Sequence, residues 1–148
     1  KSIRNIDGSQ DIRVGDLVKV TIDIEKDKTG HSRRYRYIVI DDPLPAGLVA
    51  INSSIKTEEV VPENDEDSYT EDGARVLVPS FQEIRDDRVL IFRDSNIWDG
   101  KYQYSYYARA TTEGQFVLPS TKAQLMYSPQ VMGLTPKSIV NIKASQIR

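Results

Sequence analysis

Few residues in this chain have the type and spacing that chemistry requires. There is one histidine, His31, so any Ser-His-Asp arrangement must use it. It lies in Lys26-Asp27-Lys28-Thr29-Gly30-His31-Ser32, a polar stretch with a glycine suited to positive φ. A general base needs an orienting partner and a cleft, and a histidine in a solvated turn has neither. Asp86-Asp87 is the closest approach to a carboxylate pair. Neighbours on a strand point to opposite faces, so they do not converge as an acid and a base would. The flanking Arg85 and Arg88 account for them as surface ion pairs. No glycine-rich phosphate cradle or nucleophile elbow occurs, and the chain is expected not to be an enzyme.

Binding chemistry has more candidates. Residues 56–74 hold Glu58, Glu59, Glu63, Asp65, Glu66, Asp67, Glu71 and Asp72, with no base between Lys56 and Arg75. A calcium loop of the EF-hand kind needs glycine at its sixth position, and Asp65-Glu66-Asp67-Ser68-Tyr69-Thr70 ends on threonine instead. The segment reads as a long solvated loop with too few apolar residues to order it. Lys26, Lys28, Arg33, Arg34 and Arg36 form a basic cluster that suits an anionic partner, although Asp23, Glu25 and Asp27 dilute it. Tyr102, Tyr104 and Tyr106 share a face by alternation and read as core, whereas Tyr107 falls on the opposite face. Trp98 precedes the Asp99-Gly100 turn and reads as a lid on one end of the fold.

The elements that must hold these residues repeat with a period of two, not 3.6. Asp16 to Ile24 alternates Val18, Val20, Ile22 and Ile24 against Lys19, Thr21 and Asp23. Arg33 to Asp41 reads as its hairpin partner. Further strands are expected at Arg75–Val78, Arg88–Phe92, Lys101–Thr111, Gln115–Leu118, Thr121–Tyr127 and Ser138–Lys143, while Leu48 to Ile55 has room for one or two helical turns. Turn signals such as Pro43-Leu44-Pro45-Ala46-Gly47 and Glu113-Gly114 separate the runs. Seven or eight short strands with a long acidic loop predict an all-β antiparallel sandwich.

Composition fits that class. The 148 residues match a single domain. Twenty basic residues against 22 acidic ones leave a net charge of −2, which provides no broad basic surface for nucleic acid. No apolar run approaches the length of a membrane span, and no signal peptide is seen, which a mature or excised fragment would also lack. The absence of cysteine excludes disulfides, thiolate metal sites and a cysteine nucleophile, and no cofactor is expected.

One stretch is more specific. Tyr106-Tyr107-Ala108-Arg109-Ala110-Thr111-Thr112-Glu113-Gly114-Gln115-Phe116-Val117-Leu118-Pro119, followed by Ala123-Gln124-Leu125-Met126-Tyr127-Ser128-Pro129-Gln130-Val131-Met132-Gly133, resembles the final domain of bacterial α2-macroglobulin-like proteins. Asp42-Pro43-Leu44-Pro45-Ala46-Gly47-Leu48, Phe81-Gln82-Glu83-Ile84-Arg85-Asp86-Asp87-Arg88-Val89 and Val14-Gly15-Asp16-Leu17-Val18-Lys19-Val20 extend the likeness to about residues 12–143, with departures at Gln124-Leu125 and Met132. The resemblance implies a macroglobulin-like, immunoglobulin-like sandwich at the C-terminus of a much larger periplasmic or surface-anchored protease trap. In that family a Cys–Gln thioester captures the attacking protease. This chain, lacking cysteine, would dock beside the thioester domain. The resemblance also implies that Met126 and Tyr127 shield the thioester, with Leu125, Pro129 and Tyr107 as interdomain contacts. Implied partners are the other domains of the same chain, and target proteases through the full-length protein. The competing reading is an adhesive or structural β-sandwich repeat of a bacterial surface protein. Such repeats carry a similar Arg36-to-Leu48 signature and a similar Ala108-to-Phe116 strand, usually without an equivalent of Leu125-Met126-Tyr127-Ser128-Pro129.

Overall fold

The computed structural model describes residues 1–27, 34–52 and 69–146, and among these it is all strand and turn. Thirteen strands follow one another: β1 (Ser2–Asn5), β2 (Ile12–Arg13), β3 (Leu17–Lys26), β4 (Ile38–Pro43), β5 (Leu48–Ala50), β6 (Arg75–Val76), β7 (Phe81–Ile84), β8 (Arg88–Arg93), β9 (Gly100–Ala110), β10 (Gly114–Leu118), β11 (Lys122–Leu125), β12 (Ser128–Leu134) and β13 (Ser138–Lys143). They form three sheets. The first has the order β1-β3-β9-β5, with β6 also against β9. The second runs β12-β11-β4-β8-β7, and the third β10-β13-β2. Pairing is antiparallel except for the short parallel contacts β6–β9 and β13–β2.

The expected alternation of β3 and β9 puts their apolar residues on one side. Val18, Val20 and Ile22 of β3 meet Ala108, Tyr106 and Tyr104 of β9 in register, and all six are buried. Across the core, β4 and β8 contribute Ile38, Ile40, Val89 and Ile91. A single cluster of buried side chains unites residues from all three sheets. The third sheet closes against the Pro43–Gly47 turn. A Cβ added to Gly47 would lie 2.5 Å from the Phe116 ring and 2.6 Å from Ile142 Cδ1, so only glycine permits that approach.

Several expectations need correction. β3 does not form a hairpin with the strand that follows it. It pairs with β1 and β9, whereas β4 pairs with β8 and β11. Between Lys26 and Ile38 the chain therefore passes from one sheet to the other. An alternating strand buries one face equally well in either layer, so its pattern does not name its hydrogen-bonded neighbour. Among the described residues strands number thirteen rather than seven or eight. The five that the pattern misses are β1, β2, β5, β7 and β12, which are short or polar and lack clean alternation. Leu48–Ala50 is a strand, not a helical turn. Asp86 and Asp87 lie in the turn joining β7 to β8, not on a strand.

Three inward positions on the strands are charged: Lys26 on β3, Asp42 on β4 and Arg93 on β8. Asp42 follows Ile38 and Ile40 on the buried face of β4 and is fully enclosed. Its Oδ2 accepts from the Tyr106 hydroxyl at 2.5 Å, and its Oδ1 accepts from Thr121 Oγ1 at 2.5 Å and from the Lys1 ammonium. Lys1 also donates to the Pro43 carbonyl at 3.0 Å. Burial pushes the Lys1 ammonium below its ordinary value, while the Asp42 carboxylate pulls the other way. At the other end of the core, Arg93 donates to the carbonyls of Val78 (2.8 Å) and Asn96 (3.4 Å).

Two outcomes follow. Tyr106→Phe removes one donor from an enclosed carboxylate and is expected to lower unfolding stability by about 1–3 kcal/mol in urea titration. The second concerns alkaline pH. Burial raises the Tyr104 phenol to about 12, against the weaker opposing pull of Gln82. The unfolded phenol ionises first, near pH 10, so this contribution is intact below pH 10 and disappears as pH rises towards 12. The loss attributable to Tyr104 is about 2–3 kcal/mol by pH 12, and Tyr104→Phe should abolish that part in parallel titrations at pH 9 and 12.

Candidate functional site

β11 and β12 are joined by two residues, Met126 and Tyr127, with Leu125 opposite Ser128. The register then shifts between Gln124 and Leu125, because Gln124 faces Met132. Pro129, Gln130 and Val131 are thereby set apart from the ladder on the outer strand. The turn projects its side chains: Met126 is 45% exposed and Tyr127 is 78% exposed. Leu125 is half-buried against the core and anchors the turn from below.

The turn rests on the start of β4. Leu125 pairs with Ile38, and the Met126 amide donates to the carbonyl of Tyr37 at 2.8 Å. The Tyr127 ring meets the Tyr37 ring edge-on, with centroids 5.2 Å apart and planes at 85°. The Arg36 guanidinium lies 5.0 Å from the Tyr37 centroid on the ring face. The corner thus combines a thioether, two aromatic rings and one cation. These groups present an exposed, largely apolar surface with tyrosine hydroxyls. A cavity of about 240 Å³ lies beside the corner, lined chiefly by apolar groups including Ile24, Tyr35, Ile38, Leu125, Val131 and Met132.

Leu125, Met126, Tyr127 and Pro129 are therefore neighbours on one corner of the second sheet. Tyr107 is not among them. It is exposed on the outward face of β9, opposite Lys19, across the sandwich from the second sheet. The basic cluster is dispersed among its described members. Lys26 is buried, paired with Asp99, and sits 4.8 Å from the Tyr35 centroid. Arg34 stacks 4.8 Å from the Trp98 ring, and Trp98 is half-exposed with its amide donating to the Tyr102 hydroxyl at 3.0 Å. Lys28, Arg33 and His31 lie outside the described residues, as does most of the acidic stretch 56–74. The described end of that stretch is a turn, closed by the Thr70 amide donating to the Ala74 carbonyl at 2.7 Å.

Asp87 is engaged as surface pairing predicts. Arg88 bridges Asp87 (3.2 Å) and Asp41 (3.1 Å), and its hydrogen bond holds the Asp87 carboxyl below the usual carboxylate range. Among the described residues no three His, Cys, Asp or Glu side chains gather as metal ligands. Sequence reasoning missed Tyr37 and Asp42 as members of organised sites. The alternation Ile38-Ile40-Asp42 carried a signal for the second, since it puts a carboxylate on an otherwise apolar face.

Comparison with known proteins finds one family over most of the chain, and a shorter match of 42% identity over 55 residues, 37% of this chain and 1% of that protein, to Circularly permutated Ras protein 2 of Dictyostelium discoideum. Residues 1–130 match the family described as the Bacterial Alpha-2-macroglobulin MG10 domain. An alpha-2-macroglobulin homolog of Nostoc sp. is 32% identical over 99 residues, which is 67% of this chain and 5% of that protein. Escherichia coli alpha-2-macroglobulin activated by porcine elastase superposes with a TM-score of 0.70 at 22% identity, covering 95% of this chain and 12% of that one. Salmonella alpha-2-macroglobulin reacted with methylamine gives 0.67 at 23% identity, covering 95% and 9%. The chain thus spans about one-twentieth of the Nostoc relative's length.

Because the Tyr127 ring is mostly solvated, Tyr127→Ala is expected to change the stability of this chain by less than about 1 kcal/mol, measured by thermal and urea unfolding alongside Tyr106→Phe as a destabilised control.

Proposed function

This chain belongs to the MG10 domain family of bacterial alpha-2-macroglobulins, and from that premise we propose that residues 1–148 form one non-catalytic sandwich that closes the C-terminus of a protease-trapping inhibitor. In this reading the domain docks beside the thioester domain and lays Met126 and Tyr127 over the reactive bond. The observation that carries the reading is the outward projection of Tyr127, 78% exposed on a turn that is itself fastened to β4. A thioester survives only where water is kept away, and a methionine beside an aromatic ring supplies a dry, polarizable cover.

The chain has no cysteine, so in this reading the Cys–Gln bond belongs to another domain of the parent, and the bait is assigned elsewhere as well. Its direct partners are those domains, and proteases are met through the full-length protein. The family points to the periplasm or cell surface and to a defensive role. Among the described residues no helix is long and apolar enough to cross a membrane.

The test uses the thioester-bearing parent. Tyr127→Ala is expected to raise methylamine uptake and spontaneous thioester loss about tenfold, equivalent to about 1.4 kcal/mol of lost protection. Unchanged uptake in a folded variant overturns the shield. Stoichiometric capture of a protease by this chain alone would contradict its passive role.

A further inference from the structure

The structure assigns Tyr37 the role of positioning residue for Tyr127, an inference that rests on the shielding reading above. Among the described residues Tyr37 is the one non-glycine residue with positive φ, at 57°. A bulky aromatic rarely occupies the left-handed region, and such a conformation persists only where the surroundings hold it. Three contacts hold this one. Its carbonyl accepts from the Met126 amide at 2.8 Å. Its ring meets the Tyr127 ring in a T-shaped contact, with centroids 5.2 Å apart. Its face is covered by Arg36, whose Nε donates to the Asp94 carbonyl at 3.2 Å, just beyond the end of β8.

The strained residue thus gathers the ends of two neighbouring strands and the turn of a third onto one point. A two-residue turn carrying a ring this exposed would otherwise leave that ring free among its rotamers. A cover is useful only if its ring is already aimed when the partner arrives, since the ordering is then complete before docking. Main chain and ring act together here: the Met126–Tyr37 hydrogen bond sets the turn, and the edge-to-face contact sets the Tyr127 side chain. Tyr37 itself need not touch the reactive bond.

The experiment places 3-fluorotyrosine at position 127 in the 148-residue chain and reads its fluorine shift, while the thioester-bearing parent is assayed for methylamine uptake. Tyr37→Asn deletes the ring but tolerates the left-handed backbone, and Tyr37→Gly is a second ringless variant. Tyr37→Phe keeps the ring and should restore both readouts to the unmodified values. Both ringless variants should move the fluorine signal towards free fluorotyrosine and raise uptake about 3- to 10-fold, the range an aromatic pair sustains. An unmoved signal overturns the positioning role. So does a moved signal when uptake rises in Tyr127→Ala but in neither ringless variant. A moved signal with uptake unchanged in Tyr127→Ala as well overturns the shielding reading instead.

Discussion

A carboxylate sealed from water joins the layers of this fold. Asp42 sits on the inner face of β4 and takes hydrogen bonds from Tyr106 on β9, from Thr121 just before β11, and from Lys1 just before β1. Those donors come from both large sheets, so one anion ties their facing surfaces together. An ion of this kind is tolerated only when its partners are all in place, because desolvation outweighs any single contact. That requirement ties the setting of β4 to that of β9 through the Tyr106 hydrogen bond. It also keeps Tyr106 protonated, since both burial and the neighbouring negative charge push its phenol upward.

The same strand carries the Met126–Tyr127 corner at its other end. β4 begins at Ile38, one residue after the strained Tyr37, and ends at Pro43, one residue after Asp42. A strand held at one end by a buried ion and paired on both sides along its length is a stiff support. Mounting the Met126–Tyr127 turn on it gives the exposed rings a defined direction although little of their own surface is packed. The arrangement sets a small projecting turn on a paired strand, the usual division between core and loop.

Much of this was legible in the amino-acid order. The alternation of β3 and β9 named the core face correctly, because each strand has one wet side and the period of two leaves no other choice. The family resemblance selected Met126 and Tyr127, and these residues occupy an exposed turn. The partner of β3 was not legible, since pairing depends on which layer each apolar face enters. β12 was also hidden. Pro129 and Gly133 argue against a strand locally, yet the ladder to β11 forms because the intervening residues leave the register and the strand resumes at Met132. Tyr37 fell inside the Arg33-to-Asp41 run that reads as a strand, and nothing in its neighbours announces a left-handed backbone.

The irregular path of β12 bears on a hazard that faces any chain built from many β-domains. β12 is the outermost strand of its sheet, and a straight, apolar margin there would invite stray strands from neighbouring domains to add on during synthesis. Proline lacks the amide such an intruder would need, and the displaced Pro129–Val131 segment breaks the repeat it would have to match. The margin beside the exposed rings thereby offers a stray strand a broken template, although apolar side chains lie exposed next to it.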